Sequence, residues 1–190
     1  MKFRSALFAA CVVPCSVFFS VLPASAAVTT DIKNSVFSDL TTDDANFNAI
    51  YFLKNLGVVE GYTTTDSAMA TYKPENLINR AEFLKIIYEG NDLANHEEYD
   101  DCFPDVPADV WFNTYVCQAK EEGVVSGYPD GTFKPEQTIN TVEAAKIIAE
   151  VSDWDLVEDT SDAWYGKYLD TGTALNVFTN YAAGAEMTRG

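Results

Sequence analysis

The sequence predicts a mostly α-helical protein assembled from tandem helix–loop–helix units. Three observations carry that expectation: one 17-residue stretch occurs twice, apolar residues recur at helical spacing on both sides of a turn-rich loop, and both copies carry an asparagine–glutamate helix cap.

The repetition is explicit. Residues 71–87, TYKPENLINRAEFLKII, align with residues 132–148, TFKPEQTINTVEAAKII, at 10 of 17 identical positions, with Tyr72 opposite Phe133. The match extends backwards, where Phe37 and Asp39 pair with Phe103 and Asp105, and GVVEGY at 57–62 pairs with GVVSGY at 123–128. A fainter third copy follows. Trp164 and Tyr168 lie 53 residues beyond Trp111 and Tyr115, Asn176-Val177-Phe178 replaces Gly123-Val124-Val125, and Met187-Thr188-Arg189-Gly190 matches Ile78-Asn79-Arg80-Ala81. The expected divisions are a signal peptide at 1–26, a first repeat at 27–90, a linker and second repeat at 91–151, and a linker and partial third repeat at 152–190.

Taken in order, residues 1–26 read as an export signal. Lys2 and Arg4 precede an apolar run from Ala6 to Leu22, which Pro23-Ala24-Ser25-Ala26 closes with small residues. Cleavage is expected after Ala26, leaving no membrane span. An uncleaved anchor is the alternative, weakened by Pro14 and by the shortness of the run; Cys11 and Cys15 sit in poor contexts for lipid attachment.

In the first unit Phe47, Ile50, Leu53 and Leu56 form an apolar stripe that stops at Gly57. In the second, Phe112, Tyr115, Val116 and Ala119 do the same before Gly123. The loop that follows is clearest as Tyr128-Pro129-Asp130-Gly131, a turn signal; the first unit carries five extra residues there, as a surface loop tolerates. The second helix opens on Asn79 with Glu82, and again on Asn140 with Glu143, both capping boxes. Behind the caps, Phe83, Leu84 and Ile87 in one unit and Val142, Ala145 and Ile148 in the other supply the apolar face. Residues 90–101 and 152–162 are polar, acidic linkers, and His96, the single histidine, is expected to be an exposed linker residue.

The formal net charge of −17 becomes −19 once Lys2 and Arg4 leave with the signal, which argues against nucleic acid as a partner. Cys102 and Cys117 remain, and an even pair in an exported chain reads first as a disulfide closing a loop worth roughly 3 kcal/mol. Metal binding is the alternative for the pair, but no nearby histidine completes a zinc site. Asp100, Asp101, Asp105 and Asp109 crowd one segment without EF-hand spacing. No nucleophile motif, phosphate loop or metal-ligand cluster is present, so the chain reads as a non-enzyme with no cofactor.

The segments FPDVPADVWF at 103–112, GVVSGYPDGTFKPEQTIN at 123–140 and INRAE at 78–82 resemble the S-layer homology family over nearly the whole mature chain. The resemblance implies repeats packed as a pseudo-threefold, mostly helical body with the third repeat incomplete. It implies a protein at the cell envelope that binds cell-wall polysaccharide, in many members an acidic secondary wall polymer. It also implies that the arginine of the INRAE-like motif touches the ligand, which points to Arg80 and Arg189. Helix-start N–H groups and the positive dipole end suit an anion there; the plain alternative is that Arg80 pairs with one of many carboxylates. Thr141 stands where the second copy should carry its arginine, so that copy's groove is expected to lack the charge. Tyr62, Tyr128, Trp111 and Trp164 are the candidate sugar-stacking residues. For the two tryptophans, at helix starts, recurrence fits core packing better; for the two tyrosines packing and binding are balanced. The rival functions are a structural surface-layer component packing against other envelope or S-layer proteins, and the N-terminal anchor of a longer exported enzyme.

Overall fold

Each short apolar stripe closes into a helix, and a computed structural model describes them within residues 36–63, 65, 69–158, 162–178 and 182–190. The export signal with Cys11 and Cys15 lies outside the described residues. Five helices form among the described residues, and no sheet: α1 (Phe47–Asn55), α2 (Arg80–Gly90), α3 (Asn113–Glu121), α4 (Thr141–Val151) and α5 (Gly166–Ala174). The protein is mostly α-helical, as the periodicity implies.

The helices are of two kinds. α2 and α4 each run 11 residues and start with a complete capping box: Asn79 Oδ1 accepts from Glu82 N at 2.8 Å while Asn79 N donates to the Glu82 carboxylate at 3.2 Å, and Asn140 and Glu143 repeat this at 3.0 and 3.3 Å. α1, α3 and α5 run nine residues and have no side-chain cap. Their ends are marked by left-handed residues, Gly57 (φ 78°), Gly123 (φ 80°) and Asn176 (φ 58°). Asparagine tolerates that conformation, which is why it serves after α5.

The loop after each first helix is anchored by the aspartate of the Phe-x-Asp motif. Asp105 accepts from Phe133 N (2.9 Å) and Lys134 N (2.7 Å), and Asp39 accepts from Tyr72 N and Lys73 N, both at 2.7 Å. These bonds hold Lys73 and Lys134 at φ 59°. Gly61 (φ 77°) and Gly127 (φ 74°) allow close approaches: a Cβ at Gly61 would sit 2.4 Å from the Phe37 ring and 2.7 Å from Thr71 O, and one at Gly127 2.6 Å from the Phe103 ring and 2.8 Å from Thr132 O.

Three segments of the chain meet at a ring of backbone hydrogen bonds. Ile78 N donates to Met187 O (3.0 Å), Met187 N to Ile139 O (3.0 Å) and Ile139 N to Ile78 O (3.1 Å). Two residues on, Arg80 N reaches Gln137 O (3.0 Å), Thr141 N reaches Ala185 O (2.9 Å) and Arg189 N reaches Asn76 O (2.9 Å). Each contact is an isolated bridge, so the chain satisfies its inner backbone groups without building a sheet. Around the ring α2 packs on α3 and α4, and α4 on α5. Leu84, Val106, Val116, Phe133 and Ile139 are fully buried in the largest apolar cluster.

Two side chains depart from the stripe expectation. Leu56 is exposed and Leu53 half-buried, although Phe47 and Ile50 are buried as expected. Cys102 and Cys117 form the disulfide, Cα atoms 5.5 Å apart, tying the segment before α3 to the helix itself. His96 is exposed, its Nδ1 3.9 Å from Glu89.

Candidate ligand-binding grooves

The turn after each first helix, the first two turns of the following second helix and the tryptophan of the next unit enclose a surface groove. The first is lined by Val58 to Tyr62, Glu82, Lys85, Ile86, Trp111 and Arg189; the second by Val124 to Pro129, Glu143, Lys146, Ile147, Trp164 and Arg80. The second repeats the first except that Ser126 takes the place of Glu60 and Pro129 is added. All six residues proposed from the sequence, Arg80, Arg189, Tyr62, Tyr128, Trp111 and Trp164, lie in these two grooves.

The arginines cross between units. Arg80 begins α2, yet the ring bonds that tie Arg80 N and Ala81 N to residues Gln137 and Pro135 aim its side chain into the second unit. There Nε donates to Phe133 O at 3.0 Å, Nη1 meets Glu143 Oε1 at 3.1 Å, and the guanidinium carbon stands 4.9 Å from the Tyr128 ring centroid. Arg189 treats the first unit alike, with Nε to Tyr72 O at 3.1 Å, Nη1 to Glu82 Oε1 at 3.3 Å and Tyr62 at 4.8 Å. The expectation that the second groove lacks an arginine because of Thr141 is therefore corrected: its arginine is Arg80, supplied by the first unit. Thr141 is fully buried and donates to Ala185 O at 3.1 Å.

One glutamate per groove does three jobs. Glu143 caps α4, pairs with Arg80 and accepts from Tyr128 Oη at 2.5 Å; Glu82 caps α2, pairs with Arg189 and accepts from Tyr62 Oη at 3.2 Å. Burial, with the hydrogen bond to Glu143, pushes the Tyr128 hydroxyl up to about 12, and burial likewise raises Tyr62. Both phenols stay protonated, rigid members of an arginine–glutamate–tyrosine stack.

The tryptophans are not core residues. Trp111 and Trp164 are each 55% exposed at the rim of their groove, which corrects the packing expectation. Sequence reasoning also passed over Lys85 and Lys146, half-buried residues that line the grooves and make no ion pair among the described residues. Their signal was present, since both are among the identical positions of the repeat. An unpaired cation beside an exposed indole, in a chain of charge −17, is an arrangement that attracts an anion with a flat apolar face.

The fold and grooves define a helical repeat protein that presents two related aromatic clefts, each with a lysine and an arginine in its lining. The S-layer homology domain matches it twice, at residues 36–84 and 103–145, and the chain is an S-layer homology domain protein related to surface-layer proteins. It is 28% identical over 165 residues to a surface layer protein of Brevibacillus choshinensis, an alignment covering 83% of this chain and 14% of that protein. It is 28% identical over 125 residues to a cellulosome-anchoring protein of Acetivibrio thermocellus, covering 58% and 28%, and 42% identical over 52 residues to outer membrane protein alpha of Thermotoga maritima, covering 27% and 13%. The chain thus spans only a small part of these relatives.

Proposed function

We propose that the protein is a non-covalent cell-envelope anchoring module whose two grooves bind an acidic cell-wall polysaccharide. The carrying observation is the duplicated juxtaposition of an exposed tryptophan, an unpaired half-buried lysine and a buried arginine stacked on tyrosine. A sugar ring would lie on Trp111 or Trp164 beside Lys85 or Lys146, and an acid group of the polymer would meet one of these two ammonium groups. Arg80 and Arg189 preorganise the wall and lend positive potential. Catalysis has no part in this reading. The names of the relatives, surface layer and cellulosome-anchoring proteins, support placement at the cell surface.

The same reading takes the chain as three units around the hydrogen-bonded ring, a pseudo-threefold body with 27–90, 91–151 and 152–190 as its parts and the third unit incomplete. The equivalent roles of Ile78, Ile139 and Met187 support it.

Co-sedimentation of the purified protein with isolated walls tests the function. Wild type should pellet with walls that carry acidic polymer and stay in solution with walls stripped of it. Lys85→Ala with Lys146→Ala should weaken retention by about tenfold, a loss of order 1.4 kcal/mol. These lysines are better probes than Arg80→Ala, which strands Glu143 without its partner and destabilises the fold. Unchanged retention by the double variant would remove the grooves from the mechanism. A structural surface-layer role is the competing reading, supported by the relatives' names; concentration-dependent self-association without wall binding, by light scattering, would favour it.

A further inference from the structure

The two grooves match in architecture and differ in charge. Arg189 and Arg80 are each balanced by a capping glutamate at 3.3 and 3.1 Å, so the cation left in each groove is the lysine, Lys85 or Lys146. At one equivalent lining position the first groove carries Glu60 and the second Ser126. The first is therefore lined by two cations and two carboxylates (Arg189, Lys85, Glu60, Glu82), net zero, and the second by two cations and one carboxylate (Arg80, Lys146, Glu143), net +1. Lys73 and Lys134, which stand 4.7 and 4.2 Å from the Tyr62 and Tyr128 ring centroids, line neither groove. The second cavity is also larger, about 370 Å³ against about 220 Å³.

We infer that the grooves are not duplicates: the second holds the acidic sugar of the polymer, and Glu60 turns the first toward a neutral one. The inference rests on the groove reading above. Glu60 forms no ion pair with Lys85, so it stays a free carboxylate at the groove and repels an incoming anion, while Ser126 offers only a neutral hydroxyl. Specificity arises from the repulsive group in one site as much as from the attractive group in the other.

The three tryptophan side chains supply the readout. Trp111 lines the first groove and Trp164 the second, while Trp154 packs half-buried against the cluster around Tyr168 and serves as an internal control. Their indole N–H signals can be followed by NMR as the protein is titrated with acidic oligosaccharide fragments of purified wall polymer, and with the same fragments after their carboxylates are reduced to alcohols. Trp164 should respond to the acidic fragments at about tenfold lower concentration than Trp111 at low salt, with the gap shrinking as ionic strength rises; reduction should abolish it. Ser126→Glu should erase the preference of Trp164 for the acidic form, and Glu60→Ser should confer it on Trp111. Equal midpoints at both tryptophans with both fragments, unmoved by either substitution, overturn the inference and leave the groove reading standing. If neither indole moves with any fragment, the groove reading fails and this inference with it.

Discussion

α1 and α3 are the same element in successive units, nine residues each and ended by a left-handed glycine, yet they meet different surroundings. Aligned on Gly57 and Gly123, the residues Trp111, Tyr115, Gln118 and Glu122 correspond to Ala45, Ala49, Phe52 and Leu56. On α3 this face is knitted to the preceding unit. Tyr115 Oη donates to Glu89 at 2.5 Å, Gln118 donates to Leu93 O at 2.9 Å and accepts from Asn95 N at 3.1 Å, and Glu122 accepts from Tyr88 Oη at 2.6 Å. α5 repeats the pattern with Tyr168 on Glu150 and Thr171 on Val157 N. On α1 the four counterparts are exposed, Phe52 at 61%. In a repeat protein the burial of a position is decided by the unit before it, and the side chains change to suit.

The largest way to test that contrast is to cut the covalent brace that α3 has and α1 lacks. Cys102 and Cys117 correspond to Val36 and Tyr51 in the first unit, where no cross-link exists. Cys102→Ser with Cys117→Ser should cost about 3 kcal/mol in urea unfolding. Hydrogen exchange should show amides of 113–121 losing protection while those of 47–55 hold theirs. Equal loss in both helices would mean that the units do not open separately.

A smaller effect compares equivalent positions directly. Gln118→Ala strands Leu93 O and Asn95 N and should cost about 2 kcal/mol. Phe52→Gln, which places the α3 residue on α1, should change stability by no more than about 0.5 kcal/mol because the side chain already faces water. Comparable costs at the two sites would show that something covers Phe52 in solution.

The same contrast explains which features were legible in the sequence. Capping boxes, glycine stops and the Tyr128–Gly131 turn are local, formed between residues three or four apart, and the sequence displays them directly. The disulfide and the exposed His96 also needed no tertiary knowledge. The destination of Arg80 did: its Nε bond to Phe133 spans 53 residues, and that of Arg189 to Tyr72 spans 117. The motif identified the arginine without telling which unit's groove it enters, so Thr141 was read as a loss where Arg80 already serves. Trp111 and Trp164 misled for a related reason. Recurrence marks both packing and binding residues, and only their position at a rim separates the two.

The smallest of the expected losses reads the unit junction through pH. Tyr168 is raised to about 12 from 10.0, chiefly by burial and then by its hydrogen bond to Glu150, and Tyr115 is raised by burial and by Glu89. Ala49 stands at this position in the first unit, so α1 contributes nothing of the kind. Because the folded state holds these protons more tightly than the unfolded chain, the stabilisation is complete below pH 10 and is lost as pH rises through about 12. Tyr168→Phe should therefore flatten the alkaline fall in unfolding free energy by about 1 kcal/mol between these limits, the value discounted for solvent screening. It should leave the curve near neutrality parallel to wild type. Ala49→Tyr is the matching control on α1: with no preceding glutamate to receive its hydroxyl, it should titrate like a free tyrosine and leave the alkaline slope unchanged. A steeper slope in that variant would show that α1 meets a carboxylate across a junction of its own.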